Sequence, residues 1–320
     1  MGVDAAGSLR NIRDRFTSGG GTNHIMRCLL IYPLVFVALC PMLSAEPPAE
    51  WTTPLAPFQI ADHLYYVGSR DLASYLITTS QGNILINAGL ESSPALIRAS
   101  VEKLGFKWAD TRILLNGQAH SDHVGGAARV IRETHAKNYA MEYDAALMEA
   151  GGRNDFARMS DGIRPYPPSH VDRVLHDGDT VTLGEMTLTA HKTAGHTRGC
   201  TAWTLRVHEP GEPAGQLRDV VIIGGFAALS GYRLIDRPGR PASYPGIAKD
   251  FQLTFATLHS LPCDIFLGAH GVYFNMLAKL DRVAKEGPGV WTDRQGYLAA
   301  VSDAETEFNR MLAGQRARAR

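Results

Sequence analysis

Apolar positions recur with two periods along the chain, and the switches between them mark out its elements. Leu64–Val67, Ser74–Thr78 and Asn83–Ile86 are short β-rich runs separated by turn residues such as Gln81-Gly82, and read as strands. Leu96, Ile97, Val101 and Leu104 then repeat at helical spacing, which predicts a helix over residues 94–104. Thr111–Leu115 reads as a buried strand that runs directly into a polar cluster at 118–123, and residues 125–135 read as a helix. Further strands are expected at Thr180–Leu183, Met186–Ala190, Cys200–Val207, Val220–Ile223 and Ile265–Leu267, with helices at 247–259 and 272–284. Strands mixed with helices at both ends of the chain predict two sheets packed face to face with helices outside.

The first 45 residues break this pattern. Met26-Arg27 precedes an apolar run from Cys28 to Leu43, interrupted by Pro33 and Pro41 and followed by Ser44-Ala45. A basic start, an apolar centre and a small-residue end describe a secretory signal peptide, with residues 1–25 as an upstream extension. The run is too short and too proline-broken for a membrane span. The expectation is therefore export to the periplasm of a mature domain spanning residues 46–320. That domain keeps two cysteines, Cys200 and Cys263, too few for a disulfide framework, and both are expected to be buried. Lysine plus arginine and aspartate plus glutamate number 32 each, and this balance gives no reason to expect nucleic acid or an anionic membrane as a partner. A monomer acting on a small molecule is expected.

Chemistry concentrates just beyond strand ends. Gln118-Ala119-His120-Ser121-Asp122-His123 packs four potential ligands into six residues after the strand at 111–115. Alternate residues of an extended backbone point the same way, so Gln118, His120 and Asp122 can converge, while His123 reaches a neighbouring point from the start of a helix. Imidazole nitrogen and carboxylate oxygen suit zinc. His196, in Ala194-Gly195-His196-Thr197-Arg198-Gly199, and His270, in Gly268-Ala269-His270-Gly271, sit in glycine-bracketed turns after apolar strands. Any one such histidine is more often a satisfied polar residue than a ligand; three sites of one form argue against coincidence. His191 and the histidines at 63, 135, 170, 176, 208 and 259 have no partners at ligand spacing and read as structural or surface residues.

The 118–123 block, His196 and His270 together resemble the metallo-β-lactamase superfamily, and within it the third subclass of class B β-lactamases. The resemblance runs from Tyr66-Val67-Gly68-Ser69 through Thr201-Ala202-Trp203-Thr204 to Leu261-Pro262-Cys263-Asp264. It implies a four-layer αββα sandwich of two mixed β-sheets flanked by helices, with Gln118, His120 and His196 holding one zinc ion and Asp122, His123 and His270 a second. It further implies hydrolysis of the β-lactam amide by zinc-acidified water, without a covalent intermediate and with Asp122 orienting the nucleophile.

Two departures bear on that reading. Gln118 stands where the usual member has histidine; a neutral amide oxygen is the poorer ligand, so the first site is expected to bind more weakly. Some members of the subclass similarly carry glutamine there. Phe226 stands where the subclass commonly places serine. It cannot ligate and offers no hydroxyl, so Ser230, Tyr232 and Arg233, with Phe226 itself lining the cleft, become the candidate substrate contacts. Two alternatives remain: another hydrolase on the same fold (a lactonase, thioesterase or esterase), and a zinc-binding homologue without turnover. All three require the six side chains to meet at one edge of the fold.

Overall fold

A computed structural model of the protein describes residues 46–157, 164–209 and 217–319. The signal-peptide reading, which falls on residues 1–45, lies outside the described residues.

Seven strands form the first sheet in chain order: β1 (Phe58–Ala61), β2 (Leu64–Tyr66), β3 (Tyr75–Thr79), β4 (Gly82–Ile86), β5 (Thr111–Leu115), β6 (Lys137–Met141) and β7 (Arg173–Leu175). β1 to β4 pair antiparallel and β4 to β7 parallel. Parallel neighbours need a crossover, and helices supply it. α1 (Pro94–Lys103) joins β4 to β5, while α2 (Ser121–Val124) and α3 (Ala127–Thr134) join β5 to β6. α4 (Asp144–Glu149) follows β6.

The second sheet runs β8 (Thr180–Leu183), β9 (Met186–Lys192), β10 (Thr201–His208), β11 (Leu217–Ile223) and β12 (Ile265–Gly268), antiparallel except for the β11–β12 pair. α5 (Ile247–Ser260) makes the parallel crossover, and α6 (Met276–Glu286) and α7 (Arg294–Ala317) complete the chain. Both sheets are therefore mixed.

The central strands show how the layers arise. Successive side chains on a strand face opposite ways, and in β4 both faces are buried. Ile84 and Ile86 enter a core shared with Leu188, Ala190, Trp203 and Leu205 of the second sheet, whereas Leu85 enters a separate core with Ile97, Val101 and Val130 of α1 and α3. A strand covered on both sides reads as a continuous apolar run rather than an alternating one.

Several elements differ from the sequence reading. The helix expected over 125–135 is α3, and a separate short helix, α2, precedes it from Ser121, inside the polar cluster. Gly125 and Gly126 separate them because a side chain at either would strike backbone of the 88–91 turn or the Pro94 ring. The helix expected over 272–284 opens as a 3-10 turn, Gly271–Phe274, with Asn275 at φ 54° before α6. β1, β6, β7, α4 and the 24-residue α7 had no counterpart in the sequence reading. Cys200 and Cys263 are buried and free.

Candidate metal centre

The two sheets touch backbone to backbone at one edge. A Cβ on Gly224, at the end of β11, would lie 2.1 Å from the Gly117 carbonyl oxygen, and one on Gly117 would lie 2.7 Å from the Gly224 Cα. Hydrogen bonds stitch this contact. Thr201 N–H donates to Gly117 O (2.8 Å), Gly224 N–H to Thr201 O (3.1 Å) and the Trp203 indole to Asn116 O (3.1 Å). The segment leaving β5, the turn between β9 and β10 and the segment leaving β12 therefore converge, and these carry the six candidate residues. Five of the six, Gln118, His120, His123, His196 and His270, are no more than 9% exposed.

Asp122, His123 and His270 offer ligand atoms that all lie within 4.8 Å of one another. Asp122 Oδ2 is 3.0 Å from His123 Nε2 and 3.4 Å from His270 Nε2. Two ligands bound tetrahedrally to one zinc at about 2.0–2.2 Å sit roughly 3.3 Å apart, so these spacings suit a shared cation. His123 Nε2 is buried and, despite its closeness to the carboxylate, has no hydrogen-bond partner.

Gln118, His120 and His196 form the neighbouring group. The His120 and His196 rings stand edge to face with centroids 4.8 Å apart. A Cβ at Gly225 would fall 2.8 Å from His196 Cδ2 and 3.3 Å from Gln118 Nε2, so both side chains lie over this glycine and need its bareness. The Gln118 amide nitrogen donates to Gly224 O (3.1 Å), which leaves Oε1 buried without a partner. A buried polar atom with no partner costs about 1–3 kcal/mol and calls for an explanation; a cation facing Oε1 supplies one. Both groups thus fit a metal ion on the chemistry of their donors.

The outer ring nitrogens and loops are tied down. His196 Nδ1 donates to Ala227 O (2.8 Å), leaving Nε2 as the lone-pair nitrogen. His270 Nδ1 lies 2.9 Å from Asp71 Oδ2, whose carboxylate also accepts from the Trp51 indole (3.1 Å) and from Val272 N–H (3.0 Å). Asp144 clasps two loops at once: its carboxylate accepts from Ala119 N–H (2.9 Å), the Thr197 hydroxyl (2.7 Å) and Gly199 N–H (2.8 Å).

Electrostatics separates the imidazoles. Burial, helped by neighbouring His120, pushes His196 down to about 3. Burial also tends to lower His270, but hydrogen bonds to Asp122 and Asp71 outweigh it and raise the group to about 9. Burial opposes the ionised form of Asp122 too, yet His123 and His270 hold its carboxyl well below the usual range. For Asp144 burial dominates and raises the carboxyl to about 6.

The candidate substrate contacts lie differently. Phe226 is buried and packs edge to face on Tyr273, ring centroids 5.0 Å apart. Tyr232 is buried and its hydroxyl donates to the His196 carbonyl (2.6 Å), so it braces the turn that carries His196. Ser230 is exposed, beside Glu307 and Arg310 of α7, and Arg233 donates to Pro241 O (2.7 Å). His191 bonds Thr204 across β9–β10 (2.9 Å) and lines a concavity of about 730 Å³ that includes none of the six candidate ligands. Trp51, Asp71, Asp144 and Asp155 were not among the sequence-derived site residues. Asp71 stands 199 positions from His270, and Asp144 bonds the 119 and 197 segments from 25 and 53 positions away, so no local spacing marks these residues.

The chain is similar to proteins of known family and structure. The sequence profile of the metallo-β-lactamase superfamily matches residues 70–208. The native FEZ-1 metallo-β-lactamase from Legionella gormanii is 42% identical, with a TM-score of 0.78 over 82% of this chain and 98% of that one. BJP-1, a subclass B3 metallo-β-lactamase of Bradyrhizobium japonicum, is 35% identical, with a TM-score of 0.74 over 84% and 98%. LRA-12, a class B3 di-zinc metallo-β-lactamase from an Alaskan soil metagenome, is 35% identical, with a TM-score of 0.75 over 84% and 98%.

Proposed function

The chain belongs to the metallo-β-lactamase superfamily, and from that premise we propose that it is a zinc-dependent hydrolase that opens the β-lactam amide bond. Gln118, His120 and His196 would hold one ion, and Asp122, His123 and His270 a second. The observation that carries this reading is the convergence of Asp122, His123 and His270 within 4.8 Å, beside the His120–His196 pair. Similarity to class B3 enzymes over nearly their whole length supports the substrate class.

When bound, zinc lowers the pKa of water from ~16 to roughly 7 and polarises a carbonyl oxygen. The protein's own residues do the rest. Asp122 stays ionised at neutral pH and sits between His123 and His270, so its carboxylate can accept a hydrogen bond from the attacking water and orient it. Asp71, fixed by the Trp51 indole and Val272 N–H, holds the His270 ring in place. Asp144 keeps the Ala119 and Thr197–Gly199 backbones together, so the loops that carry His120 and His196 hold a fixed spacing. Cys200, pushed up to about 12 by burial, is poorly suited to be a covalent nucleophile.

The reading extends to location: the basic-then-apolar segment at 26–45 supports export, with the periplasm as the compartment. The test is turnover of a chromogenic cephalosporin by the purified mature protein, with and without a chelator. Hydrolysis that a chelator abolishes and zinc restores is expected; turnover of ester or lactone probes alone points instead to another hydrolase of this fold.

A further inference from the structure

Two imidazoles in this centre are backed by a carboxylate, and each belongs to a different group. His270 has Asp71. His120 has Asp155, whose Oδ2 lies 3.2 Å from His120 Nε2, with the carboxylate side chain fully buried at 0% exposed. His196, by contrast, is backed by a neutral carbonyl. We infer that Asp155 is a positioning residue for His120 that sets zinc affinity at the first site, making up there for the neutral Gln118; this rests on the metal-site reading above.

Three observations lead to it. His120 Nε2 and Asp155 Oδ2 are both buried and 3.2 Å apart, without a well-aligned hydrogen bond to each other or to any other group, and Asp155 Oδ1 accepts from Ala157 N–H (2.8 Å). Among the described residues no lysine or arginine lies within ion-pair distance of Asp155. A buried carboxylate without a cation is costly, and a metal ion on the far side of the His120 ring offsets that cost. A carboxylate facing Nε2 also keeps the proton there, which leaves the lone pair on Nδ1 and strengthens it as a donor. The same short segment braces the second imidazole of the group. Phe156 packs edge to face on Tyr232, ring centroids 5.1 Å apart, and the Tyr232 hydroxyl bonds the His196 carbonyl.

The experiment is zinc titration of the chelator-stripped mature protein against a chromophoric competing chelator, for wild type, Asp155→Asn and Gln118→His/Asp155→Asn. Asp155→Asn should weaken the first zinc about 10–100-fold and leave the second within about twofold, and adding Gln118→His should recover most of the loss. Unchanged affinities in Asp155→Asn, or equal weakening of both sites, overturn the inference. Should Asp155→Asn fail to fold, ¹⁵N NMR of the zinc-loaded wild type decides: His120 protonated at Nε2 is expected, and protonation at Nδ1 refutes it. Wild type that takes up fewer than two zinc ions refutes the underlying reading, which separates that failure from this one.

Discussion

At the scale of residues, each candidate ligand has a distinct proton account. His270, raised to about 9, carries a proton at neutral pH that an ion must displace from Nε2, whereas His196, lowered to about 3, is already neutral. Zinc at the Asp122–His123–His270 group therefore competes with a proton below pH 9. Its affinity should fall about tenfold for each unit of pH lost to this group, and zinc addition to the stripped protein at pH 7 should release protons, read by calorimetry in two buffers of different ionisation enthalpy. Release independent of His270, as judged with His270→Ala, would refute the assignment. Asp122→Ala should cut turnover by roughly 10²-fold or more while circular dichroism stays unchanged, and near-normal turnover would remove Asp122 from its orienting role. The six candidates were legible because four are crowded into 118–123 and two sit in glycine-bracketed turns. Asp71 and Asp144 were not, since a lone aspartate in an ordinary helix or loop is given meaning only by the partner the fold brings to it. Phe226 and Tyr232 show the reverse limit: their side chains were legible, but not that one would bury against Tyr273 and the other would spend its hydroxyl on the main chain.

At the scale of elements, the centre depends on the ends of β5 and β11 meeting without side chains between them. Gly224→Ala would put a methyl group 2.1 Å from the Gly117 oxygen, and the strands must part to accept it. We expect a loss of about 1–3 kcal/mol in unfolding free energy together with weakened zinc binding, measured by denaturant melts and metal titration. An equivalent substitution at Gly105, which has nothing within 4 Å but a φ of +90°, should lose stability through backbone strain alone and leave the metal unaffected. Strands with a clear pattern, such as the apolar run of β5 and the alternating β8, match their sequence reading residue for residue. β1, β6 and β7 are short, polar or interrupted, and they become strands by pairing with neighbours already in place. The split between α2 and α3 follows from the close packing of Gly125 and Gly126 against the 88–91 turn and Pro94, a tertiary fact that helical periodicity does not carry.

At the scale of the whole molecule, fold and metal are separable. The core between the sheets and the second core beneath α1 and α3 are built from aliphatic and aromatic side chains, none of them a candidate ligand. Chelation should therefore leave the β-sheet signal intact while lowering the melting temperature. Zinc at about a thousand times its dissociation constant stabilises by about 4 kcal/mol, on the order of 10 °C for a domain of this size. The two-sheet architecture was legible as a whole because apolar runs and helical stretches alternate from end to end; α7 was not, its apolar positions being spread thinly over 24 residues. The central claim is that six side chains from three chain segments hold two ions at one edge of the sandwich. The most direct test is a crystal of the zinc-loaded protein measured on both sides of the zinc absorption edge. Two anomalous peaks are expected, one among Gln118, His120 and His196 and the other among Asp122, His123 and His270; absence of zinc from either group, or zinc bound elsewhere, would contradict the account.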